Sequence, residues 1–161
     1  MKMTFSKSFQ RWEASVGKSI MYFGDIELVT FFCLSTLLTE SIHKTTSKLP
    51  FRKRVSIILE LLESIELEEK IKSEFISLLN EAVNLSGTRN IIAHNPLQMS
   101  VFANNEGEIK IRPEIKKYLT NNVKVDLGAL ETFANRVQEL AFELHETHQK
   151  IAKQLKKETA F

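Results

Sequence analysis

The stretch that decides the fold is residues 126–155, DLGALETFANRVQELAFELHETHQKIAKQL. Its apolar residues recur every three or four positions, which is the spacing of an amphipathic helix with one buried stripe. Asp126 stands before the first turn, where a carboxylate accepts a hydrogen bond from a backbone N–H and caps the helix. The helix is longer than a compact monomer usually needs, which indicates a partner helix. The stripe consists of Leu130, Phe133, Ala134, Val137, Leu140, Ala141, Leu144, Ile151 and Leu155.

The same spacing extends over most of the preceding chain. It covers residues 5–38, resumes in a helix that opens at Pro50, and returns from about Leu67 towards residue 94. Proline suits a first helical turn, whereas Asn95-Pro96 ends the third helix because proline cannot continue the hydrogen-bonding ladder. Between the first two helical regions, residues 41–49 are polar, and we expect an irregular connection there.

One segment changes period. Residues 101–112 contain an Asn104-Asn105-Glu106-Gly107 turn followed by the alternating Ile109 and Ile111, a pattern typical of a β-hairpin. Residues 123–125 predict a further short extended piece. The sequence therefore predicts an all-α protein, an up-down bundle of four to five helices with a small β-hairpin between the last two helices. We expect residues 1–161 to form a single domain.

The composition is that of a soluble globular protein, with 43% hydrophobic and 26% charged residues. The formal net charge is only +2, so any affinity for nucleic acid must come from a local patch. Cys33 is the single cysteine and lies among apolar residues, which predicts a small core residue in a reducing compartment.

Neither end of the first helical region predicts a membrane segment. Residues 1–12 lack the apolar core of a signal peptide. The longest apolar stretch, Ile26–Leu38, is short for a bilayer and is interrupted by polar residues such as Glu27. We therefore expect a cytoplasmic protein with no membrane partner.

Chemistry concentrates in residues 89–96, Arg-Asn-Ile-Ile-Ala-His-Asn-Pro. Arg89 offers a permanently charged fork that suits phosphate, and His94 can move a proton near neutral pH. Asn90 and His94 are four residues apart, so a helix places them on one side, one turn from each other. Together these groups suffice to act on a phosphodiester without a metal. The structural alternative is a histidine that suits the negative end of a helix and an arginine paired with an acid.

Two charged residues fall on apolar helix faces. The helical wheel places Arg89 on the stripe that contains Phe75, Ser86 and Ala93, and it places Glu27 on the inner face of the first helical region. A charge on a buried face is costly unless it is paired or faces water. We therefore predict that Glu27 and Arg89 face a shared polar groove, in which Glu27 holds the guanidinium.

A second candidate is a basic cluster around the start of the second helical region. Basic side chains give sequence-independent affinity for phosphates, and Phe51 among them offers a ring on which a base can stack. The alternative is an ordinary solvated surface. The candidate RNA-binding residues are Lys48, Arg52, Lys53 and Arg54.

No metal or cofactor site is predicted. His145 and His148 are three residues apart on the last helix, but the sequence offers no third and fourth ligand for zinc. The five glycines are scattered, and no glycine-rich phosphate loop is present.

The segment Arg89-Asn90-Ile91-Ile92-Ala93-His94 resembles the signature of the HEPN superfamily, an arginine, a polar residue and, a few residues on, a histidine. The resemblance implies a metal-independent endoribonuclease of a toxin or antiphage-defence type that cleaves single-stranded RNA. It implies a homodimer in which two motifs meet in one interface cleft, and an antitoxin or defence partner protein. His94 would be the acid or base, Arg89 would hold the scissile phosphate, and Asn90 would orient it.

Two other functions fit the same residues. One is a non-catalytic HEPN-like module that binds RNA, a nucleotide or a protein. The other is a structural helical protein that dimerises through its long last helix.

Overall fold

A computed structural model describes residues 2–103, 107–117 and 123–158 of the chain. These residues are mostly helical, with five helices and a small antiparallel sheet, in agreement with the predicted helical class. The elements in chain order are α1 (Lys2–Leu37), α2 (Glu40–Thr46), α3 (Phe51–Ser64), α4 (Glu69–His94), β1 (Leu97–Ala103), β2 (Ile109–Lys116), β3 (Lys124–Val125) and α5 (Leu127–Glu158).

The predicted hairpin is present between α4 and α5. β1 pairs with β2 so that Val101 lies opposite Ile111, and β2 pairs in turn with β3, so the sheet has three strands in the order β1-β2-β3. Of the predicted turn, residues 104–106 lie outside the described residues. Gly107 has a φ of 79°, a conformation that glycine adopts without the steric cost of a Cβ.

The sheet has two chemically different faces, because side chains alternate along each strand. One face is apolar. It is buried at one end, around Ile115 and Val125, and exposed at the other. The exposed apolar residues are Met99, Val101, Ile109 and Ile111. The opposite face is polar and carries Ser100, Glu114 and several basic residues.

The described chain forms two compact units. Unit 1 comprises residues 1–21 and 86–136, and its buried residues include Trp12, Ile92 and Phe133. Unit 2 comprises residues 22–85 and 137–161. Its core contains Phe23, Ile26, Leu34, Ile58, Leu62, Phe75, Leu79, Leu140, Leu144 and Ile151. The expectation of a single domain over residues 1–161 stays a prediction.

The ends of α4 and α5 follow the sequence signals. The Asn95 side-chain amide donates a hydrogen bond to the Ile91 carbonyl at 2.9 Å, and Pro96 follows, so α4 ends at His94 as predicted. The Asp126 carboxylate accepts a hydrogen bond from the Ala129 backbone N–H at 2.9 Å and caps α5, also as predicted.

The irregular connection expected over residues 41–49 is partly wrong, because α2 occupies most of it. This helix has only seven residues and none of them is buried, so it has no apolar stripe that a sequence pattern could detect. Local hydrogen bonds accompany it, including one from the Thr46 hydroxyl to the Ile42 carbonyl at 3.0 Å.

α1 bears on the membrane prediction. It is continuous through the polar interruptions, and its segment Phe9–Leu37 is long and apolar enough to cross a membrane by length and composition. The core helix of a soluble protein and a signal sequence near the N-terminus meet the same criteria. The cellular location therefore stays a prediction.

Cys33 is a core residue, as the sequence predicts. It is fully buried, and burial raises the pKa of its thiol from 9.0 to about 12. At pH 8 the thiolate fraction is therefore far lower than for an exposed cysteine. We expect iodoacetamide to modify the folded protein far more slowly than the urea-unfolded protein, measured by mass spectrometry. Equal rates in the two states would contradict this burial.

Candidate functional site

The motif residues lie on the last turns of α4, within unit 1. Asn90 and His94 are both exposed, and their four-residue separation places them on one side of the helix. Ile92 points to the opposite, buried side and is 4% exposed. The packing of Ile92 therefore fixes the rotation of the helix end that presents Asn90 and His94 to solvent.

Asn90 and His94 line an open pocket of about 620 Å³ in unit 1. Its polar lining residues are Asn90, His94, Asn95 and Lys117. The pocket thus combines one titratable ring, one cation and two amides that can donate and accept hydrogen bonds. The lining is completed by Gly87, Ile91 and Val123.

Lys117 is the pocket residue that sequence reasoning missed. It follows β2, and its backbone N–H donates to the Val123 carbonyl at 3.1 Å, which extends the pairing of β2 and β3 by one step. This pairing places Lys117 and Val123 against the end of α4, where both line the pocket. No local pattern marks Lys117, because its position depends on strand pairing and not on spacing within the chain.

Arg89 does not line this pocket. It is half-buried, and burial lowers the pKa of its guanidinium. Five residues correspond to about 140° around a helix, so Arg89 and His94 lie on different sides of α4. The predicted stripe is correct at Ser86, which is buried, but wrong at Ala93, which is exposed while Ile92 takes the buried position.

Glu27 belongs to unit 2, whereas Arg89 belongs to unit 1. Within unit 2 the Glu27 carboxylate lies 3.6 Å from the Arg54 guanidinium, so the acid on the inner face of α1 has a partner there. The predicted groove shared by Glu27 and Arg89 stays a prediction.

Arg54 is not part of a basic surface, which corrects its assignment as an RNA-binding residue. The residue is 4% exposed. Its Nε donates to the Thr30 hydroxyl at 3.0 Å, and its Nη1 donates to the Leu49 carbonyl at 2.7 Å. The guanidinium also lies 4.0 Å from the centroid of the Phe31 ring. Hydrogen bonds, the Glu27 ion pair and this cation–π contact together explain how a charge is held in the core.

The other members of the basic cluster remain on the surface of unit 2. Lys48, Arg52 and Lys53 are exposed, and Arg52 also donates to the Val83 carbonyl at 3.3 Å. Phe51 is only 8% exposed and packs edge-on against Phe23 at 5.4 Å, so its ring is not available to stack on a base. Their contact with RNA stays a prediction, without the aromatic platform.

His145 and His148 both make packing contacts with α1. His148 is buried, and its Nε2 lies 3.4 Å from the Thr36 hydroxyl. Burial, with a further contribution from the nearby His145, lowers the pKa of His148. His145 stacks on Phe32 with 6.3 Å between ring centroids. Within residues 2–103, 107–117 and 123–158, no group of three or more metal-ligating side chains lies together.

Comparison by sequence and by structure finds no protein family, curated protein or solved structure that matches this chain.

Proposed function

We propose that this protein is a HEPN-like, metal-independent endoribonuclease that cleaves single-stranded RNA. The observation that carries the proposal is the open pocket at the end of α4, where the exposed His94 imidazole lies with Asn90, Asn95 and Lys117. A proton-transfer group near a lysine and amide side chains suits a phosphodiester. We propose a HEPN-like protein because Arg89, Asn90 and His94 match the motif of that superfamily.

The proposed reaction uses the substrate's own 2′-hydroxyl as the nucleophile. A base removes its proton, the 2′-oxygen bonds to phosphorus, and the bond from phosphorus to the 5′-oxygen breaks. An acid then protonates the departing 5′-oxygen, which leaves a 2′,3′-cyclic phosphate and a free 5′-hydroxyl. His94 is one of these two groups, Asn90 orients the phosphate, and Lys117 offsets the negative charge that develops on it.

The proposal requires a second copy of the chain, because each chain supplies one motif histidine and the reaction uses both an acid and a base. A two-fold axis brings two copies of His94 and two copies of Arg89 around one phosphate. Glu27 as the residue that holds Arg89, and Lys48, Arg52 and Lys53 as further RNA contacts, belong to the same proposal. The proposal also includes an up-down helical bundle, a cytoplasmic location and an antitoxin or defence partner protein.

The proposal is tested by incubating the purified protein with single-stranded RNA in an excess of EDTA. We expect cleavage, fragments that end in a 2′,3′-cyclic phosphate, and elution as a dimer on size-exclusion chromatography. Cleavage that EDTA abolishes, or fragments with a 5′-phosphate, would contradict the proposed chemistry.

A non-catalytic RNA-, nucleotide- or protein-binding module is the second candidate. It is favoured by one observation, that Arg89 does not line the pocket that contains His94. Wild-type protein that binds RNA in EDTA without cutting it, as a dimer, would favour this module over the nuclease.

A further inference from the structure

The polar face of the sheet in unit 1 is strongly basic. Four residues of the three strands are cationic, and Glu114 is the acidic one. All five have even numbers, and Lys116 lies opposite Lys124 in the register, so strand alternation places them on one face. We name the cations of this face, Lys110, Arg112, Lys116 and Lys124, the basic face.

Glu114 offsets one of these four charges, which leaves an excess of three positive charges on the face. Its carboxylate is 3% exposed, accepts a hydrogen bond from the Ser100 hydroxyl at 2.6 Å and lies 3.7 Å from the Lys124 ammonium. The Ser100 hydrogen bond, helped by the charges of Lys124, Lys116 and Arg112, holds the pKa of Glu114 below its ordinary value, so it remains ionised. Glu108 and Asp126 flank the strands, and Asp126 is occupied in capping α5.

Two cations of the basic face repel each other. Lys116 and Lys124 face each other directly across β2 and β3, and like charges in that position destabilise a sheet. Lys110, Arg112 and Lys124 are exposed. A bound polyanion would relieve this repulsion and release its own counterions, which is the usual source of affinity for nucleic-acid backbones.

The basic face and the His94 pocket meet at one end of the sheet. Lys117 and Val123, which line the pocket, are chain neighbours of Lys116 and Lys124, and strand alternation places the two pairs on opposite faces of that end. From Lys116 to Lys110 the face extends along β2 for about 20 Å at the usual rise of a strand. The whole chain has a net charge of only +2, so this is a local concentration of charge and not a property of the whole surface.

We propose that the basic face binds the phosphate backbone of the single-stranded RNA as it leaves the His94 pocket. This inference rests on the proposed function for its choice of ligand. RNA is favoured over an anionic membrane because the basic face ends at the same end of the sheet as a pocket that suits a phosphodiester, so a strand that passes around this end would contact both. The basic face, on unit 1 with His94, is distinct from the cluster of Lys48, Arg52 and Lys53 on unit 2.

The test is binding of fluorescein-labelled oligouridylate, measured by fluorescence anisotropy over a series of KCl concentrations. All proteins carry His94→Ala so that cleavage does not interfere. The test variant is Lys110→Gln with Lys116→Gln, which leaves the Lys124–Glu114 pair intact. The control is Lys150→Gln with Lys153→Gln, which removes the same charge from exposed positions of α5.

We expect the test variant to bind at least about tenfold more weakly, and its salt slope to fall by about 1.4, since each lost contact to a single strand contributes about 0.7. We expect the control variant to retain the affinity within about twofold and the slope unchanged. Glu114→Gln removes the negative charge, so it should bind more tightly with a steeper slope, a gain that a purely structural role for Glu114 does not produce.

Equal salt slopes of RNA binding for the test and control variants would overturn the inference. A lower salt slope found only in a protein with Lys48→Gln and Lys53→Gln would also overturn it. Binding to phosphatidylserine vesicles without binding to oligouridylate would overturn it in favour of a membrane. Failure of the nuclease is distinguishable, because wild-type protein that binds RNA through the basic face without cutting it removes the catalysis and leaves this surface.

Discussion

His94→Ala is expected to lower the rate of RNA cleavage at least about a hundredfold, since a positioned acid or base contributes about 10² to 10⁴ to the rate. The imidazole is exposed, so the variant should melt at the wild-type temperature and elute at the wild-type volume. The measurement is single-turnover cleavage of a labelled RNA in EDTA. Binding of the same RNA should change little.

His145→Ala is the matched control. It removes another exposed imidazole, which lies on α5 in unit 2 and does not line the pocket, and the variant should cleave at the wild-type rate. Full activity in His94→Ala would exclude His94 from the mechanism. Loss of activity together with loss of the dimer would point instead to a structural role.

Arg54→Ala is expected to lower the free energy of unfolding by about 3 kcal/mol, because it removes two hydrogen bonds from a charged donor and leaves Glu27 without this partner. It also leaves a cavity beside Phe31. Urea unfolding followed by circular dichroism at 222 nm measures the change. Under conditions where the variant is folded, its affinity for RNA should equal that of the wild type.

Lys53→Ala is the control for this prediction. It removes a neighbouring charge from the exposed side of α3, so it should change the free energy of unfolding by less than about 0.5 kcal/mol. An Arg54→Ala protein as stable as the wild type but deficient in RNA binding would return Arg54 to the candidate RNA surface.

The elements that the sequence predicts well are those with local causes. The apolar stripe of α5, the Asp126 cap and the Asn95-Pro96 stop depend on residues a few positions apart, and all three are present in the structure. α2 escapes sequence prediction because a short exposed helix needs no apolar face. The wheel places Ala93 on the buried side because a wheel extended over many turns accumulates error in its phase.

In the candidate site, too, the features with local causes could be predicted and those that depend on distant contacts could not. The placement of Asn90 and His94 on one exposed side follows from their helical spacing alone. Lys117 reaches the pocket through strand pairing, and the burial of Arg54 depends on partners in α1 and in the segment before α3. Both depend on contacts that no local spacing reveals. A run of basic residues in a sequence therefore cannot distinguish a surface lysine from a core arginine.

Each compact unit is assembled from two stretches that are distant in the chain, residues 1–21 with 86–136 and residues 22–85 with 137–161. No single peptide bond separates one unit from the other, so truncation at any one point removes part of at least one of them. Joining such remote stretches raises contact order, which slows folding. Expression of the pocket-bearing unit alone would require a gene in which residues 1–21 are joined by a linker to residues 86–136.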